Sequence, residues 1–302
     1  MKTSKALIFD IKRFAIHDGE GIRTTIFFKG CPLRCKWCHN PEGLLLKRQP
    51  VFLSKKCVFC RFCEKNANEG QMTFTNRPVF NKDYPDFDNL VDICPASAIQ
   101  YDSSYYSVDE LIETIKEDKV FYRDNGGVTF SGGEPFLHGE FISELASRCK
   151  DEGISMTIET SFYTSKELID KVVPYLDRIY IDLKIFDEGK HELYTGVSSK
   201  LIKDNIAYIL KSPYKDKVII RTPLIPDITA TDDNISAISK FIYDLYSDIR
   251  YELLNYNPLA PSKYELVNLE YELKDAKRLN EEQMQHFYDI VCLSGIKNVV
   301  KE

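Results

Sequence analysis

The chain predicts an α/β fold: a partial barrel of six parallel strands with helices outside, interrupted by a small cysteine-bearing insertion. Three observations lead there. From residue 107 onward, helix-like and strand-like stretches alternate in regular order, the pattern of repeated βα units. A β-branched and aromatic stretch, TTIFFKG, reads as one further strand over 24–30. Between the two, residues 51–100 lose this order and become rich in Cys, Asn, Asp, Lys and Pro.

In chain order, strand 24–30 ends in glycine and delivers Cys31. The insertion contributes only a short strand-like piece near 72–75. Helix 108–118 then precedes strand 127–131, helix 139–152 precedes strand 155–160, and helix 165–175 precedes strand 178–184. Helix 199–211 leads to strand 217–224, helix 232–247 to strand 250–255, and a last helix covers 280–292. Ser107, Thr164 and Thr231 are placed to cap three of these helices, because a hydroxyl can accept from the free N–H groups of a first turn. Repeated βα units give a parallel sheet. Six strands fall short of the eight of a closed barrel, so an open or partial barrel is expected. Chemistry then belongs at the C-terminal strand ends. The unusual residues do follow strands: Cys31, Gly132-Gly133-Glu134, Thr160-Ser161, Asp182-Leu183-Lys184 and Asn255-Tyr256-Asn257.

Composition sets the outer bounds. With 302 residues, 43% hydrophobic and 28% charged, the chain can bury a large core in one α/β domain plus an insertion. The expected division is 1–50 with 101–302 for the barrel and 51–100 for the insertion. No apolar run approaches the roughly 20 residues of a membrane span. The start, MKTSKALIFDIKRF, lacks the apolar segment of a secretory signal, so a cytoplasmic protein is expected. A net charge of −6 with no basic block argues against a nucleic-acid partner. Nine cysteines are present, seven of them clustered, and in a chain without an export signal these read as metal or redox ligands rather than disulfides. Cys149 and Cys292 stand alone in helical patterns and read as buried small apolar residues.

The first cluster is Cys31-x3-Cys35-x2-Cys38. Three thiolates on one tight loop can hold three irons of a cubane and leave the fourth iron open to a substrate's amino and carboxylate groups. A structural zinc would want a fourth ligand, and the nearby candidate, His39, is adjacent to Cys38 and poorly placed to complete a tetrahedron.

This spacing, with an aromatic before the last cysteine, resembles the signature of the radical S-adenosylmethionine (SAM) superfamily. The flanks Asp18-Gly-Glu-Gly-Ile-Arg23 and Cys38-His-Asn-Pro-Glu42 are similar to those of glycyl radical enzyme activating enzymes, the pyruvate formate-lyase activase group. The resemblance implies a mechanism. A reduced [4Fe-4S] cluster on Cys31, Cys35 and Cys38 cleaves SAM, and the 5′-deoxyadenosyl radical takes a hydrogen atom from a glycine of a partner enzyme. A flavodoxin- or ferredoxin-type protein would supply the electron. It further implies that Gly132, Gly133 and Glu134 receive the methionine amino group, with Thr160 beside them. Asp182, Lys184 and Arg221 would meet the ribose and carboxylate, Trp37 and His39 would flank the cofactor, and Asn257 would lie by the ribose. Glu159 stands where that group carries aspartate, and a monovalent cation site made with Asp182 and the Tyr180 carbonyl is implied.

Many relatives carry a ferredoxin-like module with two four-iron clusters where this chain has its insertion. Against that template Cys57, Cys60, Cys63 and Cys94 remain, whereas Tyr84, Phe87 and Leu90 occupy ligand positions of the other cluster and Ala67 its fourth. One auxiliary [4Fe-4S] cluster on the four cysteines is implied, with apolar packing in place of the second; zinc on the same four is the alternative. Two other functions stay open: a radical SAM enzyme acting on a small molecule, and a non-catalytic iron–sulfur electron carrier. The flanking motifs argue against the first, and the strand-end residues against the second.

Overall fold

The computed structural model describes residues 5–301. Its strands are β1 (Lys5–Ala15), β2 (Arg23–Phe28), β3 (Pro50–Phe52), β4 (Met72–Phe74), β5 (Pro78–Phe80), β6 (Ile99–Tyr101), β7 (Ser104–Ser107), β8 (Gly127–Gly132), β9 (Ser155–Thr160), β10 (Arg178–Asp182), β11 (Val218–Leu224), β12 (Arg250–Asn255) and β13 (Asn298–Val300). The main sheet runs β13-β12-β11-β10-β9-β8-β2-β1-β7. All six strands expected from the sequence are in it, side by side and parallel.

The edges were not legible. β1 pairs antiparallel with both β2 and β7, and β13 extends the parallel set beyond β12. In β1 a short apolar run gives way to charged residues without clean alternation, and β13 has three residues, too few for any period. Two short helices, Glu188–Thr195 and Pro261–Leu266, also lack a sequence signal of useful length. No helix among the described residues is long and apolar enough to cross a membrane.

The core forms where helix stripes meet one face of the sheet. Ile26, Phe28, Val128, Phe130, Ile158, Ile179, Ile181 and Ile220 are fully buried. Leu111 and Ile115, Ile142 and Leu145, Ile202 and Ile206, and Ile235, Ile238 and Ile242 cover them at helical spacing. Each such side chain contributes about 1.5–3 kcal/mol by leaving water. Ser107 caps its helix in a reciprocal capping box with Glu110, and Thr231 accepts from Asn234 N at 3.3 Å. For the helix Lys166–Val172 the cap is Ser165, one residue later than the expected Thr164. Cys149 is buried as expected. Cys292 is not: the apolar stripe of Glu281–Leu293 falls on Phe287, Tyr288 and Val291, and one further step of about 100° turns Cys292 outward.

The Asp18–Arg23 motif lies where β2 starts, at the opposite end from the cysteines. Arg23 is buried on the sheet, bonding Thr129 Oγ1 at 2.7 Å and the Val128 carbonyl at 2.8 Å. A Cβ on Gly21, at φ +73°, would come within 2.6 Å of the Gly126 backbone.

Residues 51–100 sit between antiparallel strands β3 and β6, whose pairing closes their base. The segment holds the β4–β5 hairpin, helices Phe62–Asn66 and Asp88–Ile93, and a small core of Phe80, Phe87, Leu90 and Ile99 with Tyr84, Cys63 and Cys94 packed against it.

Candidate active site

The cysteine loop is held in shape by backbone bonds. Cys31 N donates to Leu44 O, and Arg34 N and Lys36 N donate to Thr195 O and Tyr194 O at the end of the helix Glu188–Thr195. Cys38 N returns to Cys35 O at 3.0 Å, closing a tight turn. Burial pushes the thiols of Cys31, Cys35 and Cys38 up to about 12. Glu134 and Cys35 add to the rise at Cys31, whereas Lys184 opposes it at Cys35, so the three thiols and both motif residues share one environment. Trp37 is buried with Ile185, Ile225 and Tyr256 against Cys35, and Tyr264 and Tyr271 pack against Cys38. His39 is shifted down by burial, its ring 6.3 Å from that of Tyr256.

The paired glycines have a backbone reason. Gly132 has φ +121°, and a Cβ there would lie 2.3 Å from Phe28 O. One on Gly133 would lie 2.2 Å from Gly30 O and 2.6 Å from Gly43 O. Glu134 N donates to Gly30 O at 2.7 Å. The glycines therefore lock the end of β8 onto the residue that precedes Cys31. The Glu134 side chain is fully buried. It accepts from Thr160 Oγ1 at 2.6 Å, from Ser161 N at 2.8 Å and from the Ser161 hydroxyl. Burial raises its carboxyl above the usual range against these bonds.

Next to this lies a charge network across four strands. Asp182 and Lys184 share a face, and Lys184 Nζ meets Asp182 Oδ2 at 2.8 Å. Arg221 donates from Nε to Asp182 Oδ1 at 3.0 Å and from Nη1 to Glu159 Oε1 at 2.7 Å. Ser131 donates to Glu159 Oε2 at 2.7 Å. Burial alone would raise Asp182, but Lys184 and Arg221 outweigh it and hold the carboxyl below its ordinary value. Arg221 also covers the Tyr180 ring, 4.9 Å from its centroid.

The structure thus gathers Cys31, Cys35, Cys38, Trp37, Gly132, Gly133, Glu134, Thr160, Asp182, Lys184 and Arg221 at one end of the sheet. Asn257 meets the site through its backbone, which hydrogen-bonds the His39 ring, whereas its side chain is exposed and its Oδ1 accepts from Leu259 N within its own turn. The implied cation site does not fit. Glu159 is bonded to Arg221 and Ser131, Asp182 to Arg221 and Lys184, and Tyr180 lies within β10, paired on both sides. Sequence reasoning missed Ser131, an ordinary serine beside the motif glycines, and singled out Ser161 as a strand-end residue without assigning it a partner. It also missed Lys263, which reaches back to Asn40 Oδ1 and Glu42 Oε1, each at 2.9 Å.

The donor set fits an iron–sulfur centre with an open position: three clustered thiols, and charged groups beside them suited to an amino acid's ends. In the insertion, Cys57, Cys60, Cys63 and Cys94 line one small apolar cavity with Phe52, Phe62 and Ile99. Among the described residues no three His, Cys, Asp or Glu side chains are grouped to hold a single metal ion.

Comparison with known proteins agrees with this geometry. Residues 25–237 match the Radical SAM superfamily. The 4-hydroxyphenylacetate decarboxylase activating enzyme of Clostridioides difficile (strain CD196) is 36% identical over 304 residues, covering 98% of this chain and 96% of the relative. The (2S)-3-sulfopropanediol dehydratase activating enzyme of Klebsiella oxytoca is 38% identical over 281 residues, covering 90% and 88%. The structure of Streptococcus suis SuiB bound to precursor peptide SuiA shares the fold, with TM-score 0.54, 14% identity, and coverage of 90% of this chain and 46% of that one. With its cysteine loop, glycine lock and strand-end charges in place, the chain belongs to the radical SAM superfamily, whose members use S-adenosylmethionine and a [4Fe-4S] cluster, and to the activating enzymes within it.

Proposed function

We propose that this chain activates a glycyl radical enzyme by taking a hydrogen atom from a glycine of that partner. When bound, the cluster on Cys31, Cys35 and Cys38 supplies the electron that cleaves SAM to methionine and a 5′-deoxyadenosyl radical. The protein's part is orientation and exclusion of water. Lys184 and Arg221 carry fixed positive charge for the methionine carboxylate. The backbone at Gly132 and Gly133 offers acceptors to its amino group. Glu134 acts through Thr160 and Ser161, holding the end of β9 against the end of β8. Trp37 and Tyr256 pack against Cys35, and Tyr264 and Tyr271 against Cys38, narrowing solvent access to those two thiols. Asn257, exposed on its turn, is proposed to meet the ribose as a hydrogen-bonding residue.

The observation that carries this reading is the meeting of three desolvated thiols with the Asp182–Lys184–Arg221 network at one sheet end. The same reading takes 1–50 and 101–302 as a partial barrel and 51–100 as a ferredoxin-like module. That module would hold one auxiliary [4Fe-4S] cluster on Cys57, Cys60, Cys63 and Cys94, supported by their common cavity and by Tyr84, Phe87 and Leu90 packing as core. A flavodoxin- or ferredoxin-type protein would be the electron donor. The test is anaerobic reduction of the reconstituted enzyme with SAM and candidate glycyl radical enzymes. A glycine-centred radical signal on one of them is expected. SAM cleavage without such a signal on any partner would favour a small-molecule substrate instead.

A further inference from the structure

The carboxylates of Glu159 and Asp182 are held apart and bridged by one side chain. Glu159 lies on β9 and Arg221 on β11, with β10 between them. Neighbouring strands are about 4.8 Å apart, so the two positions are roughly twice that distance apart across the sheet, and they are also offset along it, Glu159 being level with Tyr180 and Arg221 with Asp182. The long arginine side chain covers most of the span, and the extra methylene of glutamate, compared with aspartate, supplies the rest. The result is a guanidinium seated between two carboxylates, Nη1 on Glu159 at 2.7 Å and Nε on Asp182 at 3.0 Å. The other oxygen of each carboxylate is also engaged, by Ser131 on Glu159 and by Lys184 on Asp182. All four residues are largely shielded from water, their side chains 11–21% exposed. Two carboxylates meet two fixed positive charges, and Glu252, level with Arg221 on β12, adds a third negative charge that also acts on the guanidinium. A further cation entering between Glu159 and Asp182 would meet oxygens already bonded and the positive charges of Arg221 and Lys184 beside them.

We propose that the guanidinium of Arg221 serves in this chain as a built-in cation, and that SAM binding therefore needs no dissociable monovalent ion. The inference rests on the reading of this pocket as the SAM site. It assigns Glu159 a positioning role: the glutamate holds Arg221 between the two carboxylates and does not itself touch the cofactor. Five N–H groups belong to a guanidinium, and the two bonds described use only two of them, so the same side chain can still reach the methionine carboxylate.

The test is equilibrium binding of SAM to the anaerobically reconstituted enzyme at constant ionic strength in potassium, sodium or tetramethylammonium chloride. Tetramethylammonium is too large to enter such a site. The expected result is a dissociation constant equal within twofold in all three. Binding tenfold or more tighter in potassium or sodium would overturn the inference while leaving the SAM site intact. Absence of SAM binding in every salt would overturn both. A second arm uses Glu159→Asp, which is too short to hold Arg221. It is expected to weaken binding in tetramethylammonium at least fivefold and to recover in potassium or sodium. Unchanged, salt-independent binding by Glu159→Asp would overturn the role given to Glu159.

Discussion

Lys29 and Asp102 form a fully buried ion pair, Nζ to Oδ2 at 2.6 Å, joining the residue before Gly30-Cys31 to the residue after β6. Lys29 Nζ also donates to the Glu42 carbonyl, and Asp102 accepts from Gln49 N at 3.0 Å and from Ser103. The pair thus ties both ends of the insertion to the strand that delivers the first cysteine. Removing one partner leaves a buried charge unpaired. Lys29→Met is expected to cost about 3–5 kcal/mol, whereas the double variant Lys29→Met/Asp102→Leu costs less than Lys29→Met alone. Thermal unfolding under anaerobic conditions reads this as a drop of several degrees for the single variant. An unchanged midpoint for Lys29→Met would refute it.

His191 makes the cysteine loop sensitive to acid. It is fully buried, with Nδ1 on Val197 O at 2.6 Å, and burial lowers it to about 4. Its Nε2 is buried without a partner, so the neutral ring is the one that fits. Between pH ~6.5 and ~4 the unfolded chain binds a proton that the native chain refuses. The contribution is therefore complete above pH ~6.5 and is lost as pH falls toward 4, by on the order of 3 kcal/mol. The affected helix end supplies the carbonyls that hold Arg34 and Lys36. Comparing unfolding midpoints at pH 7.5 and 5 should show a smaller fall for His191→Gln than for the wild type. Equal falls would show that His191 does not govern this slope.

Lys184 is expected to matter for the cofactor more than for the fold. Lys184→Met should weaken SAM binding roughly 10–100-fold, the range of a charge-assisted hydrogen bond of about 1.5–3 kcal/mol. Iron content should not change, because Lys184 is not a ligand. Full SAM affinity in the variant would remove Lys184 from the pocket.

The insertion makes a stoichiometric prediction. Two four-iron clusters give about eight irons per chain. Cys57→Ser/Cys94→Ser should bring this to about four and leave the first cluster's spectrum in place. Four irons plus one zinc in the wild type would instead assign the four cysteines to zinc.

Much of the fold is legible in the sequence alone. Five of the six central strands are closed by chemically unusual residues, and parallel pairing follows from the helices between the strands. Strand alternation alone puts Asp182 and Lys184 on one face, but their bond to each other is seen only in the fold. What was not legible depends on side chains meeting across strands. Nothing in sequence tells that Glu159 reaches over β10 to Arg221, or that Glu134 turns inward to Thr160 and Ser161. The glycines of 132–133 read as room for a ligand, yet the neighbours that require them are the backbone of Phe28, against Gly132, and of Gly30 and Gly43, against Gly133. Lys263 sits on a six-residue helix with no pattern, so its clamp on Asn40 and Glu42 had no local sign.

The central claim is that the cluster on Cys31, Cys35 and Cys38 cleaves S-adenosylmethionine. The direct measurement is the amount of 5′-deoxyadenosine formed by reduced, reconstituted wild type and by Cys38→Ala, with the insertion's four cysteines intact in both. The wild type should form it, and the variant should form none above the uncatalysed background. Comparable 5′-deoxyadenosine from Cys38→Ala would contradict the account.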